Sequence, residues 1–238
     1  MFIITIRQTL IIAPRKDNED KMTNITLYYT PLTCARVTFT ALEETGHPYD
    51  IELVNWLDEE NWKNYLAINP HGKVPALRID DNILTENAAI LLHLNEYFPK
   101  ANLLPTASEK FGKNDIIQDI IWCSSTIHPI TRMIRMPMRF NRSGDTDGII
   151  SLGKEYYKPI LKQLSDRFSS SKYWYGDKWS IIDMYLFWNY TTAQSGGLDL
   201  NPYPSILRHS EAVQERPSVK KVIEQELLDL AKIHKGQP

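Results

Sequence analysis

The spacing of apolar residues divides the chain into two parts with different predicted architectures. In residues 22–101, β-branched and aromatic runs of strand length alternate with stretches whose apolar residues recur at helical spacing. These patterns predict strands at 25–29, 51–54, 76–79 and 83–85, and helices at 35–45, 59–67 and 87–97. The predicted order of elements is therefore β-α-β-α-β-β-α.

Strand patterns do not continue beyond a linker that we predict at residues 102–112. Apolar residues such as Ile116 and Ile120 instead recur at helical spacing, and a further long helix is predicted at 147–168. We therefore expect residues 113–238 to form an all-α helical bundle. The predicted fold is an α+β N-terminal domain followed by this bundle.

Composition and charge narrow the range of partners. The net charge of −2 and the pI of about 6.3 give no global basic surface for nucleic acid or an acidic membrane. No apolar run reaches the roughly 18 residues that a membrane span needs. The two cysteines, Cys34 and Cys123, form no disulfide framework and fit a reducing compartment. We therefore expect a cytoplasmic protein that binds neither nucleic acid nor membrane.

The first 21 residues differ from the rest of the chain. Arg7 interrupts their apolar residues, and residues 15–21 are a charged run of low apolar content. A secretory signal would instead place its positive charge before an unbroken apolar core. We expect residues 1–21 to be a disordered leader or a translation-start artefact, with Met22 as the natural start.

The loop before the predicted hairpin carries candidate ligand-binding groups. If Pro75 is cis, the backbone groups of Val74 point outward and can pair with an extended peptide. Asn87 starts a predicted helix whose free N–H groups and dipole suit a carboxylate, and Glu86 suits an ammonium. A zwitterionic peptide would match these groups. The alternative is a hairpin followed by a capped helix, with Pro75 as a rigid turn.

The segment Asn69-Pro70-His71-Gly72-Lys73-Val74-Pro75 resembles the glutathione-binding loop of cytosolic glutathione transferases. The resemblance implies a thioredoxin-like domain at 22–101 and a cis Pro75. It implies that Val74 pairs with the cysteinyl part of glutathione, that Glu86 and Asn87 bind its γ-glutamyl part, and that Lys73 belongs to the same site. The family usually has serine where this chain has Asn87.

The turn after the first strand carries three candidates for the thiol site. Cys34 starts a predicted helix, whose dipole would lower the pKa of the thiol, although a small buried cysteine is the alternative. The run Tyr28-Tyr29-Thr30-Pro31-Leu32-Thr33-Cys34 resembles the cysteine motif of bacterial beta-class transferases. Relatives with a hydroxyl there would use Thr33 or Thr30 as a hydrogen-bond donor to the glutathione thiolate. We favour Cys34, which could also form a mixed disulfide with glutathione.

The helical half supplies further candidates. His128-Pro129 interrupts the first long helix and predicts a kink. His128 also matches a beta-class pattern in which this histidine approaches the thiol, although a histidine on a helix is often structural. Trp122, Met136 and Phe140 could line a pocket for the second substrate or belong to the core.

Two other patterns in this half favour structural roles. Arg132, Arg135 and Arg139 recur at helical spacing, and we interpret them as a solvated stripe or a dimer contact. Ser180 and Asp183 have the spacing of a capping box. This pair resembles the folding motif of the same family, and we expect it to stabilise the fold without taking part in chemistry.

The resemblance thus implies a homodimeric glutathione transferase. Glutathione would be its co-substrate, no metal would be needed, and detoxification would be its role. The thiol would attack a largely apolar electrophile, with thiol transfer through Cys34 as a further activity. The alternative is a non-catalytic interaction module or ligand carrier on the same fold.

Overall fold

The computed structural model describes residues 23–108, 111–141 and 143–235. The predicted leader at residues 1–21 lies outside the described residues. Within them, the chain forms a mixed four-stranded sheet with three helices, followed by a helical bundle. The predicted thioredoxin-like unit and the all-α second part are therefore confirmed.

The sheet is built around its first strand. β1 (Ile25–Tyr29) lies between β2 (Asp50–Leu53), which runs parallel to it, and β3 (Ala76–Ile79), which runs antiparallel. β4 (Asn82–Thr85) pairs with β3 at the edge, and the strand order is β2-β1-β3-β4. Because β1 is central, its C-terminal end opens at the middle of the sheet.

Three helices complete the first part and six follow in the described second part. The first three are α1 (Ala35–Thr45), α2 (Glu59–Ile68) and α3 (Asn87–Tyr97). The later helices are α4 (Lys113–Ile121), α5 (His128–Arg135), α6 (Asp147–Ser170), α7 (Ile181–Ser195), α8 (Pro204–Gln214) and α9 (Pro217–Lys235).

A π-helical segment, Trp122–Ile127, joins α4 to α5. The backbone N–H of His128 donates to the carbonyl of Cys123, five residues earlier. Pro129 follows directly and can donate no backbone hydrogen bond, which would interrupt a regular α-helix. The wider π-helical turn before it lets the helix continue past this residue. The irregularity thus lies just before the dipeptide that predicted a kink.

α7 is the central helix of the core. Eleven of its fifteen residues are buried, so nearly every face of the helix contacts other parts of the protein. One continuous set of buried side chains connects it with residues of the sheet, of α1 and of α3. α7 therefore holds the two parts of the chain together. None of the helices in the described residues is long and apolar enough to cross a bilayer.

The predicted capping box at the start of α7 is confirmed, and Asp183 makes more contacts than a cap requires. Its carboxylate accepts hydrogen bonds from the backbone N–H of Ser180 at 2.9 Å and from the backbone N–H of Trp174 at 2.6 Å. The hydroxyl of Ser180 and Nε2 of His209 lie within 3.1 Å of it. A fully buried carboxylate needs such partners to offset its lost hydration.

We expect Asp183→Ala to lower the free energy of unfolding by about 3 kcal/mol or more, because it leaves several buried donors unpaired. Chemical denaturation measures this directly. Asp166→Ala is the control: its carboxylate is 65% exposed in an ion pair with Lys162, and its loss should cost less than about 0.5 kcal/mol. Equal effects of the two substitutions would contradict the structural role of Asp183.

Candidate active site

A cavity of about 210 Å³ lies where the first turns of α1 and α3 meet the loop before β3 and the start of α5. It brings together Cys34 and every residue predicted to bind glutathione. The cavity is lined by Cys34, Asn69, His71, Lys73, Val74, Pro75, Thr85, Glu86, Asn87, Ser124, His128, Pro129, Arg132 and Tyr185. Thr30 and Thr33 are not among these residues.

The loop before β3 is held in place by hydrogen bonds from α2 and the residue that follows it. The carbonyl of Lys73 accepts hydrogen bonds from the hydroxyl of Tyr65 at 2.5 Å and from the amide of Asn69 at 2.7 Å. Gly72 has φ of +59°, and a Cβ there would lie 2.8 Å from the Trp62 ring, so only glycine fits. The Val74–Pro75 bond that follows is cis, as the resemblance implied.

The side chain of Asn87, at the start of α3, is bound within the protein, whereas the resemblance implied that this residue binds the γ-glutamyl part of glutathione. The side-chain oxygen of Asn87 accepts from the hydroxyl of Thr38 at 2.7 Å, and its amide donates to the carbonyl of Cys34 at 2.9 Å. The buried side chain thus ties the start of α3 to α1 and leaves its backbone N–H for a ligand. Glu86 precedes it with φ of +70°, an uncommon conformation for a residue with a side chain.

Hydrogen bonding separates the three candidates for the thiol site. The hydroxyl of Thr30 donates to the carbonyl of Val54 at 2.7 Å, and that of Thr33 donates to the carbonyl of Thr30 at 2.7 Å. Both hydroxyl protons are therefore donated to backbone carbonyls, that of Thr33 within the turn and that of Thr30 to the residue after β2. The sulfur of Cys34 faces the cavity and lies 3.3 Å from the carbonyl oxygen of Val74.

The expectation of a lowered thiol pKa is wrong for this structure. Cys34 is only 6% exposed, and burial raises the pKa of its thiol to about 11. The charge of Arg132 acts in the opposite direction and lowers that pKa, as does hydrogen bonding to the sulfur. Desolvation dominates because the thiol lies inside the protein, where a thiolate loses its water.

Arg132 is the charged cavity residue that the sequence analysis assigned to a different role, and Thr85, Ser124 and Tyr185 were not predicted there at all. Arg132 follows His128 by four residues, so both side chains lie on the same face of α5 and reach the cavity. Arg135 and Arg139 are exposed, and only they fit the predicted solvated stripe. No described carboxylate, within 23–108, 111–141 and 143–235, forms an ion pair with Arg132. The four-residue spacing from His128 was the available signal.

His128 lies buried beside the cavity in its neutral form. Burial lowers its pKa to about 3, and the charges of Arg132 and Lys73 lower it further. Its Nδ1 lies 3.4 Å from the hydroxyl of Tyr185, and its ring packs edge-to-face on Trp188 at 4.5 Å. At neutral pH the imidazole can therefore offer hydrogen bonds but no positive charge.

The residues predicted for the second-substrate pocket do not line this cavity. Trp122 stacks on Trp174 at 5.5 Å within the helical part. Met136 and Phe140 lie after α5, with exposed fractions of 40% and 50%. Periodicity could not separate these positions from the cavity, because Trp122 lies just before α5 and Met136 and Phe140 lie just after it.

A larger cavity of about 410 Å³ lies between the end of α1, β2 and α9. Its main polar groups already bind one another. Glu43 pairs with Lys221 at 2.7 Å and accepts a hydrogen bond from the hydroxyl of Tyr49. The smaller cavity contains the Cys34 thiol and Arg132, which pairs with no carboxylate among the residues that the structure describes, so it is the better candidate for chemistry.

Comparison with known proteins places this geometry in a family. Residues 27–102 match the model of the glutathione S-transferase N-terminal domain, and residues 151–226 match that of the C-terminal domain. A probable maleylacetoacetate isomerase from Drosophila melanogaster is 31% identical over 176 residues, which cover 73% of this chain and 75% of the relative.

Solved structures agree with this result. A glutathione transferase homologue from Sulfitobacter with bound glutathione has a TM-score of 0.74 and 28% identity, covering 84% of this chain and 97% of its own. A beta-class glutathione S-transferase from Sphingomonas chungbukensis has the same TM-score and identity, covering 84% and 98%. The predicted resemblance to bacterial beta-class transferases is therefore confirmed.

We expect Cys34 to react slowly with iodoacetamide at pH 7, and its rate to rise about tenfold per pH unit up to about pH 10, because only the thiolate reacts. Arg132→Met should slow the reaction by raising the pKa further. Mass spectrometry follows the labelling. Cys34→Ser is the control that leaves only Cys123, which is fully buried. A rate that levels off below pH 9 would contradict the raised pKa of Cys34.

Proposed function

Because this chain belongs to the glutathione S-transferase family and glutathione is its co-substrate, we propose that Cys34 and Arg132 hold the glutathione thiol as a thiolate. The observation that carries this proposal is their position in one cavity, with a hydrogen-bond donor and a cation facing the same space. Thr30 and Thr33 serve the turn instead, since their hydroxyls donate to backbone carbonyls.

Cys34 acts as a donor in this proposal. Burial raises the pKa of Cys34 to about 11, so its thiol is almost entirely protonated at pH 7. The protonated thiol can turn from the Val74 carbonyl to donate to the glutathione sulfur, and Arg132 supplies the opposing charge. Thiol transfer, in which Cys34 itself attacks a disulfide, is slower at neutral pH for the same reason.

The remaining cavity groups match the rest of glutathione. The backbone of Val74 pairs with the cysteinyl amide, and Glu86 pairs with the ammonium of the γ-glutamyl part. The backbone N–H of Asn87 and the positive end of α3 face its carboxylate. Lys73 is available for the glycyl carboxylate. Three separate elements thus position one extended peptide.

The reaction follows from this placement. The glutathione thiolate attacks an electron-poor carbon, a sulfur–carbon bond forms, and the leaving group departs with its electron pair. Where the electrophile is an activated alkene, a proton is instead added to the neighbouring carbon. Holding the thiolate at neutral pH is the main contribution of the protein, because the thiol form is a poor nucleophile.

The charge of Arg132 favours an electrophile that carries a carboxylate. Arg132 lines the cavity and forms no ion pair with a carboxylate in the described part of the chain. One relative is a probable maleylacetoacetate isomerase. A second candidate reaction, beside conjugation to an apolar electrophile, is therefore isomerisation of an alkene that carries a carboxylate. The thiolate would add to the double bond, the resulting single bond would rotate, and the thiolate would leave again.

We expect bound glutathione to ionise with an apparent pKa of about 7 or below, against about 8.5 for an ordinary thiol. Ultraviolet absorbance of the thiolate during a pH titration measures this. Arg132→Gln should return the pKa toward 8.5 and lower kcat/KM at pH 7 about tenfold or more. Arg135→Gln, on the exposed side of the same helix, is the matched control.

Cys34→Ala decides the role of the thiol. A thiolate that forms equally well in Cys34→Ala would remove Cys34 from the proposal. Absence of glutathione binding at millimolar concentration in the unmodified protein would favour the non-catalytic reading of the fold. Turnover of a chloronitrobenzene and of maleylacetoacetate, measured on the same samples, separates conjugation from isomerisation.

We propose further that the chain is a cytoplasmic homodimer. Trp56 and Leu57, adjacent in the loop between β2 and α2, are 55% and 58% exposed, which supports their burial against a second copy. Light scattering should give twice the chain mass of 27.6 kDa. Trp56→Ser should weaken the dimer, while Tyr156→Ser on α6, also half exposed, should not. A monomer at all concentrations would refute this.

A further inference from the structure

One carboxylate from the last helix holds both sides of the segment that contains Cys34. Oε1 of Glu226 accepts a hydrogen bond from the backbone N–H of Leu32 at 3.1 Å. Oε2 of the same residue accepts from Nε of Arg36 at 2.6 Å and forms an ion pair with its guanidinium. Leu32 lies two residues before Cys34 and Arg36 two residues after it, so Glu226 links the turn to the first turn of α1.

The segment needs such a support. Leu32 has φ of +62°, in the left-handed region that residues with a side chain rarely adopt, and its own side chain is 51% exposed. Its apolar contacts are therefore too few to hold this conformation. A hydrogen bond from its N–H to a buried carboxylate fixes the backbone where the side chain does not.

The position of Glu226 is costly for a merely structural contact. Its side chain is about 1% exposed, and burial raises the pKa of its carboxyl, while Arg36 lowers it. A well-packed apolar pair at such a place is often at least as stabilising as an ion pair. Unlike an apolar side chain, the carboxylate accepts hydrogen bonds from both the Leu32 backbone N–H and the Arg36 guanidinium, and so fixes their relative positions.

We propose that Glu226 is a positioning residue, which sets the location of the Cys34 thiol by holding Leu32 and Arg36 together. α9 thereby takes part in the thiol site without touching it. The neighbouring Asp229 of α9 accepts a hydrogen bond from the hydroxyl of Tyr29, at the end of β1, so the helix holds the segment from two directions. This inference rests on the proposed role of Cys34.

The test compares folded variants of the full chain by two readouts. Glu226→Ala removes both contacts, whereas Glu226→Gln keeps an acceptor for Leu32 and loses the charge opposite Arg36. Glu224→Gln, an exposed position on the same helix, is the matched control. The readouts are the alkylation rate of Cys34 in the absence of glutathione and the kinetic constants for glutathione turnover. Circular dichroism and thermal melting confirm that each variant is folded.

We expect the two readouts to move in opposite directions. Release of the segment should expose Cys34 and raise its alkylation rate at pH 8 about tenfold in Glu226→Ala. Loss of placement should lower kcat by about tenfold to a hundredfold, with a smaller change in KM for glutathione. Glu226→Gln should recover part of both effects, and Glu224→Gln should match the unmodified protein.

Three results would overturn the inference or separate it from the proposed function. Alkylation and turnover within twofold of the unmodified protein in a folded Glu226→Gln and Glu226→Ala would refute the positioning role. Should Glu226→Ala fail to fold, an unchanged Glu226→Gln with an unchanged Arg36→Lys would refute it equally. Should the unmodified protein show no glutathione turnover, the proposed function fails, and the alkylation rates alone still decide whether Glu226 positions the thiol.

Discussion

The hydrogen bonds of the buried Asp183 carboxylate fix the start of α7, the helix that packs against both parts of the chain. The carboxylate joins the backbone at Trp174, the first turn of α7 and His209 of α8 in one hydrogen-bonded group. α7 is buried on nearly all sides. A rotation or shift of this helix would therefore disturb packing on every face, and the hydrogen bonds at its first turn fix its position. That position places Tyr185 and Trp188 beside His128 and thereby shapes one wall of the candidate site.

The pKa of Cys34 in the candidate site is set by a balance between its burial and the charge of Arg132. Desolvation keeps the Cys34 thiol protonated in the free protein, while Arg132 opposes that effect without cancelling it. A protonated thiol beside Arg132, which pairs with no carboxylate among the described residues, is suited to receive an anion. The thiolate of a bound peptide would gain from both groups, whereas ionisation of Cys34 would create a charge where little water can solvate it. The same physics therefore makes Cys34 a better donor than nucleophile.

Local patterns were enough to predict most of the fold. Strands and helices up to Tyr97 lie within a residue or two of their predicted bounds, because Gly46 and Pro99 end their helices and the hairpin turn is short. The loop around Val74 could also be predicted, since proline fixes its own φ angle, glycine permits a positive φ, and the run from Asn69 to Pro75 carries the family resemblance. The capping box at Asp183 followed from a spacing of three residues.

Only the tertiary structure decided the hydrogen-bond partners, burial and pKa of groups that contact residues distant in the sequence. Three features depend on elements far apart in the sequence: the hydrogen bond from the Asn87 amide to Cys34, the pKa of Cys34, and the position of Arg132 in the cavity lining. Glu226 gave no signal at all, because it reaches Leu32 and Arg36 across about 190 residues. Sequence by itself determined the order of elements and the residue types near the site, since these rest on local backbone preference and periodicity. Folding decided charge, burial and hydrogen-bond partners, because each is a property of the space around a group.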